Sequence, residues 1–183
     1  MICSIDLGTT KNMTTKNWFY LTRFISAFFL AISITACVSV NIGDSGQSQK
    51  STTVQFKAPA APFVVFKTDF VDSAFKNPRN GNSISFLSEC NSAADPSLDT
   101  IHKGLISSID RAESISKKIY QYNNREALRS TVSGYVDGVQ SKFDLLVFKK
   151  NNCTYILSYV ATEKNFSENL SVFETFTENF VVP

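Results

Sequence analysis

Few residues of this chain are equipped for catalysis. His102 is the only histidine, and as a general base it would need a nucleophile brought to it in space. Its place beside Ile101 on a helical pattern predicts a side chain at the solvent edge. Serines are plentiful, but none sits in a GxSxG elbow, and no Gly-rich loop is built to cradle phosphate. Glu89, Asp95 and Asp99 fall close together, and a hard cation takes carboxylate oxygens; helix capping and the helix dipole account for Asp95 and Asp99 equally well. Lys117, Lys118, Lys149 and Lys150 could form a positive patch or simply solvate strand ends. Four cysteines are present, Cys3, Cys37, Cys90 and Cys153, without a CxxC pair. Cys90, Cys153 and His102, the Cys and His side chains of the globular part, fall short of the four ligands of a structural zinc site. The sequence assigns no catalytic residue, no metal ligand and no cofactor.

The thiol with the clearest chemistry is Cys37, because of what precedes it. Lys11, Lys16 and Arg23 lead into an apolar run from Phe24 to Ile34, about half the roughly 20 residues that a membrane-crossing helix needs. A basic start, a short apolar run and small residues at its end describe a secretory signal. Met13 offers an alternative start that leaves a shorter basic region. Ile34-Thr35-Ala36-Cys37 resembles the lipobox of bacterial lipoproteins: an aliphatic residue, a small one, Ala or Gly, then Cys. The resemblance implies diacylation of the Cys37 thiol, cleavage before it, and a further acyl chain on the new amino group. Several chains together hold a protein stably, at about 0.8 kcal/mol per buried methylene. The alternative is an ordinary signal peptide with an incidental cysteine. Val38 after the cysteine favours the outer over the inner membrane by the enterobacterial sorting rule.

Removing residues 1–36 takes away Lys11, Lys16, Arg23 and Asp6, so basic and acidic residues become equal in number. A neutral chain with no basic block has no electrostatic case for nucleic acid, whose binding rests on neutralising phosphates. Cys90 and Cys153 are the thiols left over, in a compartment that oxidises them; a disulfide is expected, against two buried free thiols. Residues 37–62, rich in Ser, Thr, Gln and Gly before a Pro/Ala step, read as a flexible tether, with TVQF able to pair weakly with the domain. Residues 63–183 are the globular domain.

Within that domain FVVFKTDF reads as a first strand, FVDSAFKNPRNGN as a loop broken at Pro78 and Gly81, and SISFLSEC as an alternating strand ending at Cys90. Leu98, Ile101, Leu105 and Ile109 then make one helical stripe, with Asp95 before Pro96 as its start signal. Four strand-like stretches follow, SISKKIYQY, EALRSTVSGYV, VQSKFDLLVF and CTYILSYVA. Asn123-Asn124, Asp137-Gly138 and Lys149 to Asn152 separate them, and Asp-Gly is a strong hairpin signal. Phe143, Leu145 and Val147 share a face with apolar residues opposite, as do Tyr155, Leu157 and Tyr159, so the last two strands are expected to be central and covered on both faces. Phe166, Leu170, Phe173 and Phe180 line a closing helix that Asn165 and Glu168 would cap. The sum is an α+β fold, an antiparallel sheet of about six strands with helices packed on it.

SISFLSEC before a helix, REALRSTVSGYVDG running into KFDLLVFKKNNCTYILSYVA, and the closing FSENLSVFETFTENF resemble the PsbP-like family. That family includes the extrinsic protein of photosystem II, the Ran-binding Mog protein and envelope lipoproteins of the DcrB type. The resemblance covers about residues 63 to 182 and implies an α/β/α sandwich around an antiparallel sheet. Its members are mostly non-enzymatic binding proteins with unrelated partners, so it carries over no functional residue.

Lipobox, tether and the lack of a catalytic set point to one role. A protein anchored to the envelope by lipid on Cys37 and facing the periplasm would bind or stabilise another envelope component, a protein, without turnover. The rival is a hydrolase or small-ligand enzyme whose site assembles only in the fold. Under eukaryotic secretion Asn152, Asn165 and Asn169 would instead be glycosylation acceptors.

Overall fold

The computed structural model describes residues 49–183. The signal, Cys37 and residues 38–48 of the expected tether lie outside the described residues. Seven strands form one antiparallel sheet: β1 (Val64–Val65), β2 (Ser73–Lys76), β3 (Ser83–Cys90), β4 (Asp110–Tyr122), β5 (Arg125–Val136), β6 (Val139–Lys150) and β7 (Cys153–Thr162). Their spatial order is β1-β2-β3-β7-β6-β5-β4. Helix α1 (Leu98–Ser107) follows β3, and a 3-10 turn (Glu163–Glu168) leads into α2 (Leu170–Glu178). The α+β architecture expected from the sequence is the one observed.

Turn chemistry explains the long meander from β4 to β7. Asn123, Asn124, Asp137, Gly138, Asn151 and Asn152 all have positive φ, as two-residue hairpins that follow the twist of their strands require. β3 spans the alternating stretch read from the sequence. The chain before it differs from expectation. Only Val64–Val65 of FVVFKTDF is strand. Ser73–Lys76, expected in a loop, pairs along β3 with Phe75 facing Ile84, because two apolar residues, Ala74 and Phe75, gain burial there.

Both helices start elsewhere than expected. Ser97, not Asp95, caps α1 by accepting from the Thr100 amide at 3.1 Å, while Asp95 turns to Lys149. Asn165 caps nothing: its amide donates to the Asn80 carbonyl, and α2 opens only after Asn169.

One face of the sheet carries the main core. Phe148 stacks on Tyr155 at 4.9 Å and Tyr159 on Phe173 at 5.8 Å, beneath α2. Residues 49–62, expected as the end of a tether, lie on the domain. Phe56 reaches Phe86, Phe176 and Phe180 at 4.9–6.3 Å, and Gln55 exchanges two backbone hydrogen bonds with Val181. Partial burial of Val54 and Phe56 and the Gln55–Val181 pairing together offset the cost of ordering a segment that composition marks as flexible.

On the other face α1 packs against β4, β5 and β6, over Val132, Phe143 and Leu145. The connection from α1 to β4 crosses β5 at Gly134. A Cβ there would stand 2.3 Å from Ile109 Cγ2 and 3.0 Å from the Asp110 carbonyl.

Candidate functional site

The helix on the second face is too short to cover it. Among the described residues α1 lies over β4 to β6 and leaves the β3–β7 side uncovered, with an apolar groove of about 350 Å³ beside the helix. Leu87, Ile156, Val160 and Phe143 form its floor, with Leu105 on the helix side and Val71 opposite. No charged side chain lines it. Its serines are already engaged: Ser85 and Ser158 hydroxyls bond each other across the strands at 2.7 Å, and Ser108 donates to the Leu105 carbonyl. Such a lining offers apolar contact and little to recognise a charged group, and its volume falls within the roughly 300–1,000 Å³ of small-molecule sites. β6 is buried on both faces as expected, but β7 is not: Ile156, Ser158 and Val160 are half-buried. The sequence signal was present, since Ile156 and Val160 make the outward face of β7 apolar. That apolarity is the reason cover on both faces is expected, and α1 does not extend over β7 to supply it.

His102 is not at the solvent edge. It is 2 % exposed, under α1, with Nε2 2.7 Å from the Ser130 hydroxyl. α1 packs across β4, β5 and β6, and its rotation on the sheet turns His102 inward against Ser130 of β5. Burial, aided by the Lys117 cation, lowers its pKa below the ordinary 6.5. Nδ1 has no partner among the described residues, and Asp99, one turn back, is held by Lys103 and Lys117. A histidine and a hydroxyl thus meet, but Ser130 is itself 1 % exposed, and neither residue lines the groove. As folded, the pair is a hydrogen bond tying helix to sheet.

The remaining charged candidates pair locally. Lys103 and Lys117 hold the Asp99 carboxyl down at about 2. Lys149 binds Asp95 and the Pro96 carbonyl, Lys150 the Val182 carbonyl, and Lys118 lies over Tyr120. Glu89, Asp95 and Asp99 do not converge: among the described residues no group of three or more His, Cys, Asp or Glu side chains could hold a metal. Of the tyrosines, Tyr155 and Tyr159 are fully buried, Tyr120 and Tyr122 pack against the core, and Tyr135 lies under Arg111.

Cys90 and Cys153 are joined in a disulfide at facing positions of β3 and β7. Cys90 also exchanges backbone hydrogen bonds with Gln49, so the bridge sits where the incoming chain meets the sheet.

Two buried polar arrangements carried no signal in the sequence. Arg129 and Asp144 form a two-pronged ion pair beneath α2. Asn77, Asn80 and Asn82 all donate to the Asn169 side-chain oxygen at 2.9–3.1 Å, tying the turn before β3 to the turn before α2. Beside them Tyr159 donates to the Phe166 carbonyl, and burial pushes its hydroxyl up to about 12. The asparagine cluster depends on residues far apart in the chain, whereas Arg129 and Asp144 are diagonal neighbours across the β5–β6 hairpin.

No protein-family model and no curated protein sequence matches the chain. Solved structures do. LpqN, described as involved in cell envelope biogenesis of Mycobacterium tuberculosis, is 8 % identical with a TM-score of 0.55, covering 75 % of this chain and 86 % of its own. PA94 of Pseudomonas aeruginosa, of unknown function, is 9 % identical with a TM-score of 0.51, over 70 % and 85 %. CyanoP, the cyanobacterial PsbP of Synechocystis sp. PCC 6803, is 14 % identical with a TM-score of 0.53, over 82 % of this chain and 99 % of that one. At such identities the likeness speaks to architecture alone, and the architecture is the PsbP-like α+β fold.

Proposed function

We propose that this protein is a bacterial envelope lipoprotein whose domain binds an envelope protein through the groove beside α1, with no turnover of its own. Lipid on Cys37 would hold it at the membrane, in the outer in preference to the inner, with the domain facing the periplasm. The observation that carries the reading is the uncharged apolar groove, whose hydroxyls are already paired within the chain. LpqN, a protein of the same fold, is involved in cell envelope biogenesis, which is consistent with it. A photo-crosslinking amino acid at Leu87 or Val136, in cells making the full chain, is expected to trap one discrete protein adduct. Ile156→Asp should abolish the adduct while leaving the circular dichroism of the domain intact. Absence of any groove-specific adduct at both positions would overturn the groove as the binding site. Mass spectrometry of the N-terminus tests the anchor separately, because a chain that still begins upstream of Cys37 and bears no acyl group removes it.

A hydrolase would have to draw on His102 and Ser130, which do meet at 2.7 Å. Any hydrolytic activity of the purified chain that Ser130→Ala removes would favour that rival.

A further inference from the structure

We propose that the loop between β1 and β2 is a membrane-contact loop, which lays Phe66 and Phe70 into the surface of the bilayer that carries the anchor. For its membrane the inference rests on the envelope reading above. Among the described residues, the large apolar side chains that stay exposed include only two phenylalanines, and both belong to this loop. Phe70 is 89 % exposed and Phe66 52 %, with Val64 and Val65 at 54 % and 72 % beside them. A phenylalanine left in water forgoes most of its hydrophobic gain. Phenylalanine is among the residues that interfacial segments bury about 5–10 Å into the headgroup/acyl boundary.

The loop is held out by its root. The Phe66 amide donates to the Ala74 carbonyl at 2.8 Å and the Asp72 amide to the Phe86 carbonyl at 3.0 Å. The Asp72 carboxylate accepts from the Ser88 amide at 2.8 Å and from the Ser88 hydroxyl. The rings are therefore presented from a fixed base.

The path of the chain supplies the occupant. Lys50, at the start of the described residues, donates to the Val71 carbonyl at 3.3 Å and pairs with Asp72 at 3.4 Å, so the segment arriving from Cys37 joins the domain at this loop's root. The stretch from Cys37 to Lys50 spans at most about 45 Å when extended, which keeps the loop within reach of the leaflet that holds the acyl chains. Lys67 is exposed beside the rings and suits a headgroup phosphate, with Asp69 exposed two residues on, while Lys50 is held by Asp72, so the rings and not the charges carry the contact. A protein partner has no need to sit at the tether's junction; a lipid surface does.

The test uses the full chain with Trp18, its single tryptophan, changed to Phe. Phe70→Trp is then introduced as the only reporter and the protein reconstituted in phosphatidylethanolamine/phosphatidylglycerol vesicles containing brominated acyl chains. Phe70→Trp emission should be blue-shifted and quenched. Ile119→Trp, on β4 at the opposite edge of the sheet, should be neither. Both positions are largely exposed, so neither change disturbs packing. Unquenched Phe70→Trp emission overturns the proposal whatever the N-terminus carries. Quenching with a bare Cys37 overturns the anchor alone and upholds the loop. With Cys37→Ser, vesicle sedimentation should fall about tenfold on adding Phe70→Ser, by the loss of one buried ring, and equal sedimentation would count against the loop.

Discussion

Replacing Asp144 with alanine is expected to be among the most damaging single changes beneath α2. The Arg129 guanidinium donates from Nε to Oδ1 at 2.8 Å and from Nη2 to Oδ2 at 2.9 Å. The two side chains are 18 % and 6 % exposed, and the Phe173 ring roofs the guanidinium at 5.6 Å. The carboxylate raises the Arg129 pKa against the opposing effect of burial. Removing either charge strands the other in a poorly hydrated site, which costs about 3–5 kcal/mol. At about 3–5 °C per kcal/mol for a domain of this size, the melting temperature should drop by roughly 10–20 °C. Removing both charges is a different matter, because desolvating two ions offsets much of their attraction. Arg129→Met with Asp144→Leu should return to within about 1–2 kcal/mol of the parent. Urea and thermal unfolding of Arg129→Met, Asp144→Leu and the double variant complete the cycle, with Asp144→Ala as a smaller truncation. Single variants that each lose less than about 1 kcal/mol, or losses that simply add in the double variant, would refute the reasoning.

The bridge closes a loop with a sequence separation of 63, so Cys90→Ala with Cys153→Ala should destabilise by about 2–4 kcal/mol in chemical unfolding; equal stability would show that the reduced chain is already as constrained. Acid should weaken the α1 face through His102. Above its ordinary 6.5 neither state binds the proton. Below that value the unfolded chain takes it while the folded chain, with a lowered pKa, does not, so stability falls as pH drops until the folded ring titrates too. His102→Gln should flatten the pH dependence of unfolding between 6.5 and the ordinary carboxylate value of 3.8; identical slopes in the two proteins would be the contrary result. The stability that Asp99 contributes is present above 3.8 and disappears only toward about 2, outside that window.

The strands β3 to β7 were legible because the information for them is local. Alternation such as Ile84, Phe86 and Ser88, and Asp137-Gly138 at a turn, read out the same way whatever surrounds them. β2 was not legible, since Pro78 and Gly81 close behind it look like loop and its pairing partner lies on β3. His102 was misplaced for a related reason: a helical stripe fixes spacing along α1, but the exact rotation of the helix on the sheet decides which flanking residue turns inward. The weak pairing expected of TVQF is the one Gln55 makes with Val181, but composition cannot register that Phe56 also docks on a surface made by α2, β3 and the last residues of the chain.

The α+β architecture, the long meander and the thiols available to pair are written in the residues themselves, since propensity, period and turn chemistry act within a few positions. The packed molecule adds that α1 stops short of β3 and β7 and leaves a groove, that Asn169 gathers Asn77, Asn80 and Asn82, that His102 is sealed against Ser130, and that Phe56 docks on the core. Each of these depends on which distant segments share one face of a sheet, and free energy gained by burial across such distances leaves no mark on neighbouring letters.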